Sequence, residues 1–332
     1  MSPARPAPNG PAKRSESISA RRGLTVPIPE IPLAELPRAI KRAEELGYSE
    51  AWSYENSILD AFTPLAVTAQ GTSSMRLGTA IVPVFTRPAA LIAMQAVAVA
   101  ETAPGRFVLG LGSSTEAIVS GWMGIDFGKP LSKVVEVAGI VKRLLAGEKV
   151  GAFRLGQLPP APIPIYIAAL GPKMLRAAGE LGEGVCFYLT GPGIIPELLA
   201  GVGRPVDSMC RIGAMAGDDD EAVKAAARRA SVAYALVPYY AALLERQGFG
   251  EEVAAIKQRW AAGDRAAAPG QVSDAMLDET WLLGSVDHML ERLADYERAG
   301  LGCPAIAPIG VGATPAERRR HVEGLIEALA PN

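Results

Sequence analysis

The sequence predicts an α/β fold, a closed parallel (β/α)8 TIM barrel with a helical insertion before the last strand. Three observations predict it. From Gly23 onward, short β-like runs alternate with segments of helical period, the pattern of parallel strands joined by crossover helices. Proline or glycine sits at most of the joints. The 332 residues suit one barrel of about 250 residues with insertions, and no composition shift marks a domain break. A doubly wound open sheet is the alternative.

Leu24-Thr25-Val26 is the first strand. Leu33, Leu36, Ile40 and Ala43 then recur at helical spacing between charged residues, and Gly47 can close that helix in the left-handed conformation. Ala51-Trp52-Ser53 is strand two. Thr63-Pro64 reads as an N-cap followed by proline at the first helical position. Met75 to Val82 is strand three, and Pro88 opens the apolar helix Ala89–Thr102. Arg106 to Leu111 is strand four, followed by a helix marked by Val134, Ala138, Val141 and Leu145. Ile163 to Ala168, Gly184 to Tyr188 and Met209 to Met215 are strands five to seven. Asp218 to Trp281 is too long for one crossover and reads as the insertion. Ser285 caps the next helix, Cys303 to Ile309 is strand eight, and Thr314-Pro315-Ala316-Glu317 forms a capping box for the last helix. Residues 1–22 read as a flexible tail and 23–332 as one domain. Arg21-Arg22 lacks the apolar stretch that a twin-arginine export signal needs after it.

Composition narrows the function. Charges nearly balance, at 33 basic and 35 acidic residues without a long basic run, so a nucleic-acid partner is not expected. The longest apolar segment, Ala89 to Ala100, is broken by Gln95 and too short to span a bilayer. Cys186, Cys210 and Cys303 are far apart and lie in strand-like runs, which predicts buried thiols, a reducing cytoplasmic setting and no zinc or disulfide framework. The two histidines, His288 and His321, fall on amphipathic helices and read as solvent-facing. Ser-His-Asp catalysis and histidine-rich metal hydrolysis are therefore disfavoured. A barrel so poor in bases and nucleophiles points to a cofactor that carries the chemistry.

Barrel chemistry collects at the C-terminal strand ends. Those ends carry Tyr54-Glu55-Asn56, Ala80-Ile81-Val82, Gly112-Ser113-Ser114, Ala168 to Lys173 and Tyr188-Leu189-Thr190. Gly171-Pro172-Lys173 opens a helix after strand five, where free amides, including that of Met174, and the helix dipole favour a phosphate. Gly110 to Thr115 offers unhindered amides and three hydroxyls but does not complete a GxGxxG fingerprint. Either turn can equally be a tight connection.

Trp52 to Glu55, Asp60 to Ala66, Arg76 to Val84 (RLGTAIVPV), Pro104 to Gly112 (PGRFVLGLG) and Ile165 to Pro172 (IYIAALGP) resemble the luciferase-like monooxygenase family, and within it the oxidoreductases dependent on coenzyme F420. The resemblance extends from about Gly23 to Gly310. It implies a planar cofactor over the C-terminal mouth and a non-prolyl cis peptide at Ala80–Ile81 bracing the ring. It also implies cofactor binding by Gly112, Ser113, Ser114, Ala169, Leu170, Gly171, Pro172, Lys173 and Met174, an acidic position at Glu55, and a homodimer. Where dehydrogenase-type members carry histidine, this chain has Asn56, whose amide cannot accept a proton as imidazole does. Tyr54, Glu55 and Glu116 are then the candidate proton donors. The resemblance thus implies hydride transfer between F420 and a small organic substrate. The alternatives are an FMN-dependent monooxygenase and a non-catalytic flavin-binding protein.

Overall fold

The computed structural model describes residues 21–331. Eight parallel strands form the barrel: β1 (Gly23–Val26), β2 (Glu50–Ser53), β3 (Arg76–Thr79), β4 (Phe107–Gly112), β5 (Ile165–Ala168), β6 (Gly184–Tyr188), β7 (Asp207–Ala216) and β8 (Cys303–Gly310). Each pairs in parallel with the next, and β8 pairs with both β7 and β1, which closes the sheet. The open-sheet alternative is thereby excluded. Val82–Pro83 continues the β3 edge against β4, and Trp281–Leu282 pairs with the part of β7 that extends beyond β6.

The helices follow the sequence pattern closely. Helix α1 (Leu36–Glu45) buries Leu36, Ile40 and Ala43, and Gly47 after it takes φ +95°. The Thr314–Glu317 capping box is formed, and Ser285 Oγ accepts from the His288 amide. One cap differs from expectation. Thr63 is already helical in α2 (Thr63–Ala69); Asp60 Oδ1 instead accepts from the Phe62 and Thr63 amides at 2.8 and 3.0 Å. Aspartate two residues upstream of Phe62 can reach both amides, so the threonine hydroxyl is not needed.

The lumen is filled in layers because alternate strand residues point inward. At the N-terminal end Glu50 is buried between Arg21 Nη1 and Arg76 Nη2, each 3.1 Å away, and its Oε2 accepts from Trp52 Nε1 at 2.8 Å. Asp207 accepts from both η nitrogens of Arg76, at 3.0 and 2.9 Å, as well as from Arg21 and Tyr166. Burial alone would raise the Asp207 pKa, but these hydrogen bonds and the Arg76 charge hold it well below the carboxylate range. The next layer holds Trp52, Val108, Tyr166, Cys186, Met209 and Ala305. Gly78 is required there, since a β-carbon would collide with the Trp52 ring.

Residues 1–20 of the segment read as a tail lie outside the described residues. Its last two residues are docked: Arg21 joins the lumenal network, and Arg22 Nη1 donates to Leu329 O at 2.9 Å. His321 also departs from its solvent-facing assignment. Its Nδ1 lies 2.9 Å from Val311 O and its Nε2 3.0 Å from Asp218 Oδ1, and the side chain is largely covered. The three cysteines are buried thiols, and burial pushes Cys210 up to about 12.

The insertion forms four helices, α3 (Asp220–Ala235), α4 (Pro238–Arg246), α5 (Gly250–Ala261) and α6 (Asp274–Thr280). They bury a cluster of their own, including Val223, Val232, Leu244, Ile256 and Trp281, which packs on Leu189 and Met215 at the barrel's C-terminal end. Among the described residues no helix is long and apolar enough to cross a membrane.

Candidate active site at the barrel mouth

Above the Trp52 layer one side of the lumen carries small residues. Ala80, Ile81 and Ala168 are partly exposed and rest on the buried layer of Trp52, Tyr166 and Cys186, which forms a floor beneath them. The Ala80–Ile81 peptide is cis, as the resemblance implied. Gly112 belongs to this floor, because a β-carbon there would sit 3.0 Å from both Ala168 Cβ and Ile81 Cγ1. Gly110 has a different reason. Its backbone lies against Thr79, whose Oγ1 accepts from Gly110 N at 2.8 Å and donates to Gly110 O at 2.9 Å. A methyl group would land on the Thr79 carbonyl. That glycine is explained by strand packing alone.

The turn after β4 carries Ser113 and Ser114, both half-exposed, and Ser114 takes φ +60°. A non-glycine residue in the left-handed region is uncommon and marks a constrained turn. Tyr239 Oη, from the insertion, donates to Ser114 O at 2.8 Å and ties this turn to the roof. Ser113 Oγ donates to Ser114 O at 3.3 Å, whereas the Ser114 hydroxyl has no partner among the described residues.

After β5, Ala169 is buried and Gly171 is the N-cap of a ten-residue helix, Pro172–Leu181, without a side-chain cap. The first intrahelical bond is donated by Leu175 to Gly171 O. The amides of Lys173 and Met174 therefore have no intrahelical acceptor, and none is supplied from elsewhere among the described residues. Lys173 is exposed and makes no ion pair there, Met174 leans onto the main core, and Leu170 O accepts from Arg246. Two orphan amides, a positive helix end and a free ammonium fit an anion such as a phosphate.

After β2 the three candidate residues part company. Glu55 is clamped: Arg87 Nη1 donates to Oε1 at 2.8 Å, Nη2 stands 2.7 Å from Oε2 without hydrogen-bond alignment, and Thr86 Oγ1 donates to Oε1 at 3.2 Å. Asn56 is held by its own loop, its Oδ1 accepting from the Ile58 and Leu59 amides at 2.8 and 3.1 Å. Glu116 is exposed. Tyr54 alone faces the lumen axis, in register two residues above Trp52, and its Oη accepts from Arg211 Nη2 at 3.2 Å. Its own proton is left free to donate.

Arg211 is the principal residue that sequence reasoning missed. It sits mid-strand in β7, two residues above lumenal Met209, with its guanidinium 4.2 Å from the Tyr54 ring centroid and 4.7 Å from that of Tyr188. Tyr188 packs edge-on against Tyr234 and Tyr240 of the insertion, and burial raises its pKa well above the ordinary tyrosine value. The available signal was one arginine inside the apolar run SMCRIGAMA. Among the described residues no group of His, Cys, Asp or Glu gathers as a metal site.

Against this geometry, the model of the family described as luciferase-like monooxygenase matches residues 10–302. A 5,10-methylenetetrahydromethanopterin reductase of Methanolobus tindarius is 30% identical over 311 residues, covering 85% of this chain and 93% of the relative. The structure of a coenzyme F420-dependent tetrahydromethanopterin reductase from Methanopyrus kandleri superposes with a TM-score of 0.72 at 22% identity, over 94% of this chain and 97% of that one. The oxygenating constituent of 3,6-diketocamphane monooxygenase from Pseudomonas putida, in complex with FMN, has a TM-score of 0.60 at 17% identity, over 94% and 98%. These two structures share the fold.

Proposed function

The chain belongs to the luciferase-like monooxygenase family, and from that premise we propose that it is an F420-dependent oxidoreductase transferring a hydride between the cofactor and a small organic substrate. The observation that carries the cofactor reading is the pairing of a floor of small, partly exposed side chains with a separate anion seat. Ala80, Ile81, Ala168 and Gly112 present little side-chain bulk to a flat ring, and the Lys173 and Met174 amides, the Lys173 ammonium and the Ser114 hydroxyl supply donors for a phosphate. When bound, the deazaflavin supplies a carbon centre that gives or takes a hydride.

The protein's own part is positioning and one proton. Tyr54 is the donor the geometry favours, because Arg211 occupies a lone pair of Oη and leaves the O–H free. Glu55 is committed to Arg87, and Asn56 to its own loop. A site with a proton donor but no basic imidazole suits reduction of a polarised double bond, such as an imine or a conjugated carbon–carbon bond, which takes a hydride and a proton, better than oxidation of an alcohol. The relative named as a methylenetetrahydromethanopterin reductase supports the same direction. Packing of the insertion over Tyr188 limits water at the reacting centre.

The buried thiols agree with a cytoplasmic enzyme. A homodimer is part of the reading, supported by Leu91 and Met94, which stand exposed on the helix Ala89–Thr102. Reduced F420 incubated anaerobically with a panel of imine and conjugated-enone acceptors tests the activity. Acceptor-dependent oxidation without oxygen supports hydride transfer. Turnover only with FMN and oxygen overturns it in favour of the monooxygenase alternative, which the FMN-bound fold neighbour keeps in view.

A further inference from the structure

The lumen holds two arginines built in the same manner and finished differently. Arg76, at the closed end, lies 5.8 and 5.6 Å from the centroids of Trp52 and Tyr166 and pairs with two carboxylates, Glu50 at 3.1 Å and Asp207 at 2.9 Å. Arg211, at the open end, lies between the rings of Tyr54 and Tyr188 and has no carboxylate within ion-pairing distance among the described residues. Among the described residues its hydrogen-bond partners are phenols, Tyr54 Oη at 3.2 Å from Nη2 and the Tyr234 side chain, and its buried Nε has no acceptor. The groups acting on its charge are tyrosines.

A guanidinium has five donors in a planar fork and stays charged. Holding one in a barrel lumen without a counter-anion is unfavourable unless a partner arrives from outside. The aromatic faces offset part of that cost and also fix the plane of the fork. The same chain supplies two carboxylates to the equivalent cation two lumenal layers below, the four residues of strand from Asp207 to Arg211 or about 13 Å at about 3.3 Å per residue, so the lack at Arg211 is specific to the mouth.

We propose that Arg211 is a substrate-binding residue that recognises a carboxylate, or a similarly delocalised oxyanion, on a flat substrate lying beside Tyr54 and Tyr188. This names a substrate class for the proposed reaction and rests on reading the mouth as the place where substrate sits. The anion would take the vacant donors of the fork, and its attached planar group would lie along the tyrosine faces. The reducible bond is thereby held beside the Tyr54 hydroxyl. The phosphate seat at Lys173 is on a different strand end and is a separate site.

Benzoate, with benzamide as a neutral compound of the same shape, probes the site in the cofactor-free protein by calorimetric titration. Benzoate is expected to bind roughly tenfold or more tighter than benzamide, the worth of a charge-assisted hydrogen bond. Arg211→Gln should bring the two ligands together, and Arg211→Lys should keep part of the difference. Near-UV circular dichroism establishes that each variant is folded; should Arg211→Gln fail to fold, Arg211→Lys and chloride competition against benzoate in the wild type carry the test. Equal affinities in the wild type, no benzoate binding, or a preference that survives in the folded Arg211→Gln protein would overturn the proposal. F420 titrated into the same proteins separates the two readings. A wild type that prefers benzoate but does not bind F420 loses the proposed cofactor and keeps the anion site. One that binds F420 but ignores the charge of the probe keeps the cofactor and loses the role of Arg211.

Discussion

Reversing the charge at Lys173 is the sharpest test of the phosphate seat. Lys173 is exposed, at the first turn of the helix Pro172–Leu181, and makes no ion pair among the described residues. Lys173→Glu should therefore change the fold's stability by no more than about 0.5 kcal/mol. Its effect on a bound anion follows from exposure. Two unit charges about 4 Å apart in water attract by about 1 kcal/mol, so exchanging attraction for repulsion amounts to about 2 kcal/mol. That corresponds to roughly 30-fold weaker F420 binding at low salt. At physiological ionic strength, where the Debye length is about 8 Å, the loss should shrink to several-fold. Quenching of F420 fluorescence, titrated at two salt concentrations with the melting curve as control, measures both quantities. Unchanged affinity at low salt would refute the seat and move the phosphate toward the Ser113–Ser114 turn.

Three further outcomes are expected. Arg87→Met leaves Glu55 nearly buried beside a single hydroxyl donor, and denaturant unfolding should show a loss of about 3 kcal/mol; an unchanged midpoint would mean the pair contributes nothing. Glu44 titrates at about 2: partial burial opposes this, and hydrogen bonds from the Ser74, Ser73 and Met75 amides outweigh it. A depressed carboxylate contributes stability above its unfolded value and loses it as pH falls through the folded one. The wild type should thus lose more stability than Glu44→Gln between about pH 5 and 2, by about 1 kcal/mol after discounting for solvent screening, and parallel stability curves would contradict this. With Asn56 bound to its own loop, neither 2-propanol nor glucose 6-phosphate should reduce F420 in a stopped-flow assay; rapid bleaching would contradict the reductive direction.

The barrel was legible in the sequence because each strand and helix carries its own period and its own stop, as Ile40–Ala43–Gly47 and Ser285 illustrate. The cis peptide at Ala80–Ile81 came from family resemblance, since no local rule marks it. What the sequence concealed are contacts whose partners are distant in the chain. Glu55 meets Arg87 only because the ends of β2 and β3 are adjacent, and His321 is covered only because the last helix packs beside Val311. Arg211 reads as an irregularity in an apolar strand until parity with Met209 places it in the lumen. Thr63-Pro64 has the look of a helix start, but the helix begins one residue earlier than that pattern implies, with Asp60 holding the Phe62 and Thr63 amides.

Parallel titrations of the purified protein with F420 and with FMN, followed by absorbance and fluorescence, decide which cofactor the barrel mouth takes. F420 should bind saturably, more weakly in Lys173→Glu, and FMN should bind much more weakly. Tight FMN binding with no response to F420 would contradict the F420 reading.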